Sequence, residues 1–324
     1  MGIRYLNRFL KDNASPSINL YNLARLSGKK IAVDISIYIY RFAGDNTLIE
    51  NIYLMLSIFR HYNIIPIFVF DGRAPVEKLE LLQKRKEDKE KAQEEYNKLK
   101  ISLNNEMNES EKQEIIYHME MLKKKFVYIN KNDIENVKML IKSYGATYYD
   151  ASGEADELCV MLNIKDKVWA CLSEDMDMFV YGCPRVIRYL SLLNHTAVVY
   201  DLKGILNNLG ITQKELREIC VLSGTDYNIE CHDTPNILNT NLKLFKKYHK
   251  SNKNISFYEW LNENKKNYIK DYDLLLKICN IFDLNVNNND DINAFEKLQI
   301  VNGPILKDDV KNILKADGFI FAVC

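Results

Sequence analysis

The sequence predicts an α/β fold, a mostly parallel central sheet flanked by helices, and three observations carry that prediction. Lys29-Lys-Ile-Ala-Val-Asp34 and Ile64-Ile-Pro-Ile-Phe-Val-Phe-Asp71 are short, nearly continuous apolar runs, the pattern of strands buried on both faces. Between them Leu48, Ile52, Met55 and Phe59 keep helical spacing, so the segment reads strand, helix, strand, the crossover that two parallel strands require. The same alternation resumes downstream, with a helix over 133–144 stopped by Gly145, a strand over 146–149, a helix over 154–163 and a strand over 167–172.

Taken in order, the strand ending at Asp34 is followed by a turn around Gly44 and then by the helix over 48–61. After the strand ending at Asp71 the rhythm breaks. Residues 77–100 hold eight basic and seven acidic side chains with a thin apolar stripe at Leu79, Leu82 and Leu99, which is no pattern for a core helix. A loop over 104–110 leads to a second helix over 111–125. An insertion of two helices between strands of a compact domain is commonly a lid or binding appendage, and the residues are equally compatible with a solvated hairpin laced with i,i+4 pairs. Residues 185–190 form a further candidate strand, and Thr212-Gln-Lys-Glu215 opens a helix with a capping box. Beyond about residue 228 the strand pattern stops. Residues 236–270 carry eight Lys and two Glu interleaved with Phe245, Tyr248, Phe257, Tyr258 and Trp260, a basic and aromatic patch that suits a nucleic-acid backbone or, equally, a solvated helical face. The Asn- and Asp-rich tail from residue 285 reads as loop, helix and a last strand.

Composition sets the outer bounds. A chain of 324 residues, 47% hydrophobic, with 12 Gly and 6 Pro, excludes disorder and fibrous repeats. With 44 basic against 44 acidic residues, nucleic-acid binding has to come from local patches. Seven cysteines without a CxxC pair argue against structural zinc or a disulfide framework and for an intracellular, reducing compartment. The start MGIRYLNRFL lacks a signal-peptide core, and the longest strong apolar run, 64–70, is too short to span a bilayer, so no membrane role is expected.

The chemistry gathers where the strands end. Three of them finish in acids: Asp34, Asp71, and Asp175 with Asp177 two residues on. In an open parallel sheet the carboxyl ends of the strands line one crevice, where ligands bind. Glu154 and Asp156, at the entry of a helix, and Asp226, just after one, can join them. Positions two apart on a helix differ by about 200°, so Glu154 and Asp156 converge only because they occupy the loop and first turn. So many carboxylates repel one another unless cations neutralise them. Oxygen ligands without His or thiolate favour Mg²⁺ or Mn²⁺, and two such ions about 4 Å apart are a recurring device for attack of water on a phosphodiester.

These residues resemble the flap endonucleases of the XPG-type structure-specific 5′ nuclease family. The matches are MGI at the start, Ile31-Ala-Val-Asp34 with Ser36 and Tyr40, Val69-Phe-Asp-Gly-Arg-Ala-Pro75, Gly153-Glu-Ala-Asp-Glu157, Ser173-Glu-Asp-Met-Asp177 and Leu222-Ser-Gly-Thr-Asp-Tyr227. They occur in family order over roughly residues 1–228. The resemblance implies a PIN-like nuclease core over 1–228, with a helical arch over 77–125 through which a single-stranded 5′ flap passes, and a helical DNA-binding region over 229–324. It implies Mg²⁺ as cofactor, two ions per site with Mn²⁺ as a substitute. Asp34, Asp71, Glu154 and Asp156 would surround one ion, and Asp156, Asp175, Asp177 and Asp226 the other. Lys78 and Arg85 fall where the family carries a basic catalytic pair, seven residues and so about two helical turns apart. Tyr40 takes the place of an aromatic that stacks a base, and Gly2 that of a buried N-terminal glycine. Gly2, Tyr40, Lys124, Lys125, Lys243, Lys246 and Lys247 are the candidate DNA contacts.

Two departures stand out. Where the family has a Gly-hydrophobic-Gly turn, this chain has Ile229-Glu-Cys-His-Asp-Thr-Pro-Asn236, which puts the family's potassium site in question, and the C-terminus carries no sliding-clamp motif. The expected enzyme is a monomer that cuts branched DNA bearing a 5′ flap, in the nucleus or another site of DNA replication. The alternatives are a mainly exonucleolytic or RNA-directed relative and a catalytically inactive adaptor of the same fold.

Overall fold

The structure, a computed structural model, describes residues 2–102, 109–228, 234–251, 254–284, 291, 295 and 298–321. Its strands are β1 (Ile18–Asn22), β2 (Lys30–Asp34), β3 (Ile65–Phe70), β4 (Thr147–Asp150), β5 (Ala170–Leu172), β6 (Arg185–Ser191) and β7 (Thr196–Asp201). They form one sheet in the order β1-β7-β6-β5-β2-β3-β4. From β6 to β4 every neighbouring pair is parallel, and β2 is central, with β5 on one side and β3 on the other. Both faces of β2 are covered, as its continuous apolar run requires. Ala32 enters a core with Leu158 and Phe179, while Ile31 and Val33 enter another with Ile52, Phe59 and Ile141.

The helices of the first half are α1 (Leu6–Ala14), α2 (Ile35–Gly44), α3 (Leu48–His61), α4 (Leu79–Ser102), α5 (Glu109–Lys123), α6 (Lys131–Ser143) and α7 (Ala155–Ile164). Those of the second half are α8 (Asp177–Tyr181), α9 (Leu202–Leu209), α10 (Gln213–Ser223), α11 (Ile237–Lys250), α12 (Phe257–Asn264), α13 (Tyr272–Ile281) and α14 (Lys307–Ala316). The capping box at Thr212 and Glu215 is formed. Of the 24 residues in α4 only Ala92 is buried, so this helix lies outside the core, packed along α5.

Three features depart from the sequence reading. Residues 35–44, given no element in the sequence reading ahead of the turn around Gly44, are helix: Ile35, Tyr38, Ile39 and Phe42 recur at helical spacing and are buried, a signal hidden by the brevity of the run. The parallel sheet also carries an antiparallel flank, in which β7 pairs with both β6 and β1. Asn19 interrupts β1 and Asn22 ends it, while β7 carries a short apolar run, Ala197 to Tyr200, bounded by Thr196 and Asp201 and left without an assignment in the sequence reading. Finally, no strand follows α14 among the described residues, where Phe319 and Phe321 instead pack on the α3 and α6 side of the core.

The chain returns to the sheet before α14. Gly303 N–H donates to Gly145 O at 2.7 Å and Leu306 N–H to Ser143 O at 2.7 Å, while the Arg60 guanidinium donates to the carbonyls of Tyr144 and Gly303 at 2.7 and 2.8 Å. This segment lies along the outer edge of β4, where Thr147 Oγ1 donates to Gln299 O at 3.3 Å.

Candidate active site

Because β5, β2 and β3 are adjacent and parallel, the residues that end them meet at one edge of the sheet. Asp34 ends β2, Asp71 follows β3, and Ser173 follows β5. Ser173 Oγ donates to Asp34 Oδ2 at 2.8 Å and accepts from Asp175 N–H at 3.1 Å, and Asp175 Oδ1 in turn accepts from Asp177 N–H at 3.0 Å as α8 begins. Asp71 Oδ1 accepts from Ala155 N–H at 2.8 Å, which pins the start of α7 to the end of β3. Glu154 and Asp156 sit at that start, and Asp226 follows α10.

Two glycines let the backbone come this close. Gly72 N–H donates to Gly153 O at 2.7 Å, and a Cβ on Gly72 would strike the carbonyl oxygens of Ala151 and Ser152. Gly2, buried with φ of 73°, lies against the acids themselves: a Cβ there would strike carboxylate oxygens of Asp175 and Asp177. Any larger residue at either position pushes the backbone away from the site.

The acids form one electrostatic unit. Burial, followed by the charges of Asp71 and Asp175, pushes Asp34 up to about 8 from its ordinary value. Burial and Glu154 hold Asp156 well above the usual carboxylate range, and burial with Asp175 and Asp226 does the same to Asp177. Two cations answer them. Lys78 Nζ donates to both carboxylate oxygens of Glu154 at 2.7 Å, and Arg85 Nη2 to Asp226 Oδ2 at 2.9 Å. Burial alone would lower the Lys78 pKa, but Asp156, Glu154 and Tyr227 outweigh it, so the shift is upward and the ammonium stays charged.

Among the described residues no three of these side chains are already gathered to coordinate an ion. Their chemistry nevertheless fits a hard divalent cation. The donors are all carboxylate oxygens, three of the acids are held towards their neutral form by burial, and Asp177 Oδ1 is buried with no hydrogen-bond partner. The acids stand apart because each repels the others and because Lys78 and Arg85 draw Glu154 and Asp226 to themselves.

A pH dependence follows. The folded chain, with raised carboxyl pKa values, binds more protons than the unfolded one, so its stability falls as pH rises from about 4 through about 8. Thermal melts of chelator-treated protein are expected to show a Tm that decreases between about pH 5 and about pH 8, and saturating Mg²⁺ is expected to raise Tm more at the higher pH. A Tm that climbs over that range without divalent ions would contradict the electrostatic account.

The other sequence-predicted residues are placed as follows. Tyr40 is 48% exposed at the rim, with Lys89 Nζ 5.0 Å from its ring centroid. Lys124 pairs with Asp45 at 2.7 Å, and Lys125 is exposed beside it. Lys243, Lys246 and Lys247 line the exposed face of α11, opposite the buried Leu242, Leu244 and Phe245, and are not drawn into the acid cluster. In the divergent turn, residues 229–233 lie outside the described residues, and Thr234 to Asn236 lead into α11.

Several contributors carried no recognised signal. Lys89 also lies 5.7 Å from the Tyr128 ring centroid and donates to Val127 O at 3.1 Å; its place four residues after Arg85, on the same helix face, could have found it. Asp291 accepts from Ser152 N–H and Ser152 Oγ at 2.8 Å and from Tyr149 Oη at 3.1 Å, bracing the loop that presents Glu154. Buried Arg188 donates to Glu174 O at 2.9 Å and pairs with its carboxylate, bracing the loop of Asp175 and Asp177. Nothing local in the sequence marks Asp291 or Arg188.

Comparison with known proteins places this geometry among relatives. The profile of the XPG N-terminal domain matches residues 1–92 and that of the XPG I-region residues 145–226. Flap endonuclease 1 of Cryptosporidium muris (strain RN66) is 32% identical over 257 residues, covering 70% of this chain and 52% of that protein. Flap endonuclease 1 of Methanococcus aeolicus is 30% identical over 245 residues, covering 71% of this chain and 70% of that protein. The chain spans about half the length of the first of these curated relatives. Among solved structures, the catalytic core of Rad2 in complex with DNA substrate aligns with a TM-score of 0.68 at 21% identity, covering 98% of this chain and 95% of that one, a likeness of fold.

Proposed function

Because the chain belongs to the XPG family that includes the flap endonucleases, we propose that it is a structure-specific 5′ flap endonuclease and 5′ to 3′ exonuclease acting on branched DNA in replication or repair. What supports this reading is that Asp34, Asp71 and Asp175 lie at or just past the ends of three adjacent parallel strands, where the charges of Asp71 and Asp175 raise the proton affinity of Asp34, with Lys78 and Arg85 paired to Glu154 and Asp226 beside them. An inactive adaptor has no use for so many mutually repelling acids, which cost stability unless a cation is bound.

In this reading two Mg²⁺ ions are held, one by Asp34, Asp71, Glu154 and Asp156 and the other by Asp156, Asp175, Asp177 and Asp226, with Mn²⁺ able to replace them. Bound there, the ions supply an activated water and neutralise the charge on the scissile phosphate. The chain's own groups do the rest. Lys78 and Arg85, which pair with Glu154 and Asp226, would be placed to meet the charge that develops on the phosphate. Tyr40 stacks a base at the rim, a contact tolerant of sequence, and Gly2 lets the N-terminal backbone close on the site. Lys124 and Lys125 at the arch, and Lys243, Lys246 and Lys247 on α11, contact phosphates. Residues 1–228 make the nuclease core and 229–324 the DNA-binding region of a monomer working in the nucleus or wherever DNA is replicated.

The deciding experiment is cleavage of a labelled 5′ flap beside linear duplex and RNA, with and without divalent metal. Metal-dependent incision at the flap junction is expected. A flap bound but never cut in any divalent metal would return the adaptor, and faster cutting of RNA the RNA-directed relative. Binding also has an expected salt signature. Replacing Lys243, Lys246 and Lys247 together with Ala should reduce the slope of log K against log salt by up to about three, in KCl and NaCl alike, because each phosphate contact contributes about one unit. A marked preference for potassium would instead reveal an ordered ion site at the divergent turn.

A further inference from the structure

Beside the acids lies a cavity of about 520 Å³, walled by the base of α4 on one side, by residues 268–275 on the other, and by the segment from Asp226 to Asn228. That volume falls within the ~300–1,000 Å³ of ordinary small-molecule sites and has room for a base with its sugar. We infer that this cavity binds a single nucleobase of the substrate strand, next to the scissile phosphate.

Three observations argue for it, and it rests on the reading of the chain as a nuclease for branched DNA. The cavity is continuous with the acid cluster, because Asp226 belongs to both. Tyr227 is shared as well: it lines the cavity, while Lys78 Nζ lies 5.2 Å from its ring centroid and its Oη lies 3.5 Å from Glu154 Oε2. A strand whose phosphate sits at Lys78 therefore has its neighbouring base within reach of the opening. The walls also select a base over a phosphate. With Asp226 already paired to Arg85, Glu77, Glu80 and Asp271 line the cavity against Lys84 and Lys270, a small excess of negative charge that disfavours an anion. Tyr227 and Tyr268 are among its lining residues, aromatic rings of the kind on which bases stack. Finally, ionised carboxylates only accept hydrogen bonds. Cytosine and adenine donate through the two N–H groups of an exocyclic amine, and guanine through its amine and N1–H, against the single N3–H of thymine, so those three are expected to be preferred over thymine.

The test uses the whole chain and a 5′-flap DNA in which one 2-aminopurine is walked across the junction, in chelator so that nothing is cut. Quenched emission is expected at one position next to the scissile phosphate, separate from the position whose quenching Tyr40→Ala relieves. Leu274→Trp, at a wall residue that is 38% exposed, fills the cavity and should restore the emission there. In the wild type, an abasic site at that position should weaken flap binding about tenfold, within the range measured for loss of one stacked base. Equal emission at every position outside the Tyr40 contact, a quench indifferent to Leu274→Trp, or a preference for thymine would each overturn the inference. Flap cleavage without any such quench would leave the nuclease reading standing and this one refuted, and failure to bind flap DNA at all would refute the nuclease reading itself.

Discussion

Asp177→Asn is expected to lower the single-turnover cleavage of a 5′ flap by at least about a thousandfold, the scale on which loss of one charged group at a reacting centre is felt. The carboxamide keeps the shape of the side chain and removes its charge. Asp177 is buried, its Oδ1 has no partner, and Asp175 and Asp226 hold its carboxyl towards the neutral form. The same substitution is therefore expected to raise the Tm of the metal-free protein, since it relieves repulsion in a buried site. Flap affinity should change by less than about threefold, because the lysines proposed to contact phosphates lie elsewhere. A variant with lost activity and a higher Tm cannot be dismissed as misfolded. Retention of more than about a tenth of the wild-type rate at saturating Mg²⁺ would remove Asp177 from the metal ligands.

Lys78→Ala and Arg85→Ala are each expected to cost about 100- to 1,000-fold in the single-turnover rate, with Kd for the flap changed by less than about fivefold. Their pairing with Glu154 and Asp226 makes the measurement informative. A residue whose only task was to neutralise an acid in the folded chain would change Tm and leave the chemical step alone once metal had taken its place. A rate effect that persists at saturating metal reports contact with the reacting phosphate. Lys78→Arg should recover part of the loss, as charge is kept while the compact ammonium geometry is not. If both alanine variants weaken binding only, the arch is a passive hairpin and its cations belong to substrate capture.

What could be read from the sequence was whatever a single segment declares by itself. Asp34, Asp71 and Asp175 were legible as a set because each closes a buried strand, and neighbouring parallel strands bring such ends together. The exposed character of α4 was legible from its charge density, and the buried faces of the core helices from their apolar spacing. The arrangement around the acids was not, since it depends on partners far away along the chain. Asp291 looks like one acid in a polar tail until the fold sets it against Ser152, and Arg188 looks like a surface arginine in a strand until it is buried on Glu174. The ion pairs of Lys78 and Arg85 were hidden for the same reason, since a resemblance assigns a residue a role without saying what holds it before substrate arrives. The antiparallel flank escaped because Asn19 breaks the apolar pattern of the edge strand β1, and because the short run of β7 says nothing by itself of its direction or partners.

The brace on the catalytic loop has a consequence for the order in which the molecule is made. All seven acids have left the ribosome once Asp226 has emerged, yet the loop before Glu154 is fastened by Asp291, and the outer edge of β4 is closed by the segment around Gly303. A nascent chain at that stage holds all seven acids without the hydrogen bonds from Ser152 and Tyr149 to Asp291 that fasten the loop before Glu154. It also exposes an open strand edge, a surface on which half-made chains can pair with one another. The fastening of that loop and the closing of that strand edge thus both wait for Asp291 and the segment around Gly303, late in the chain.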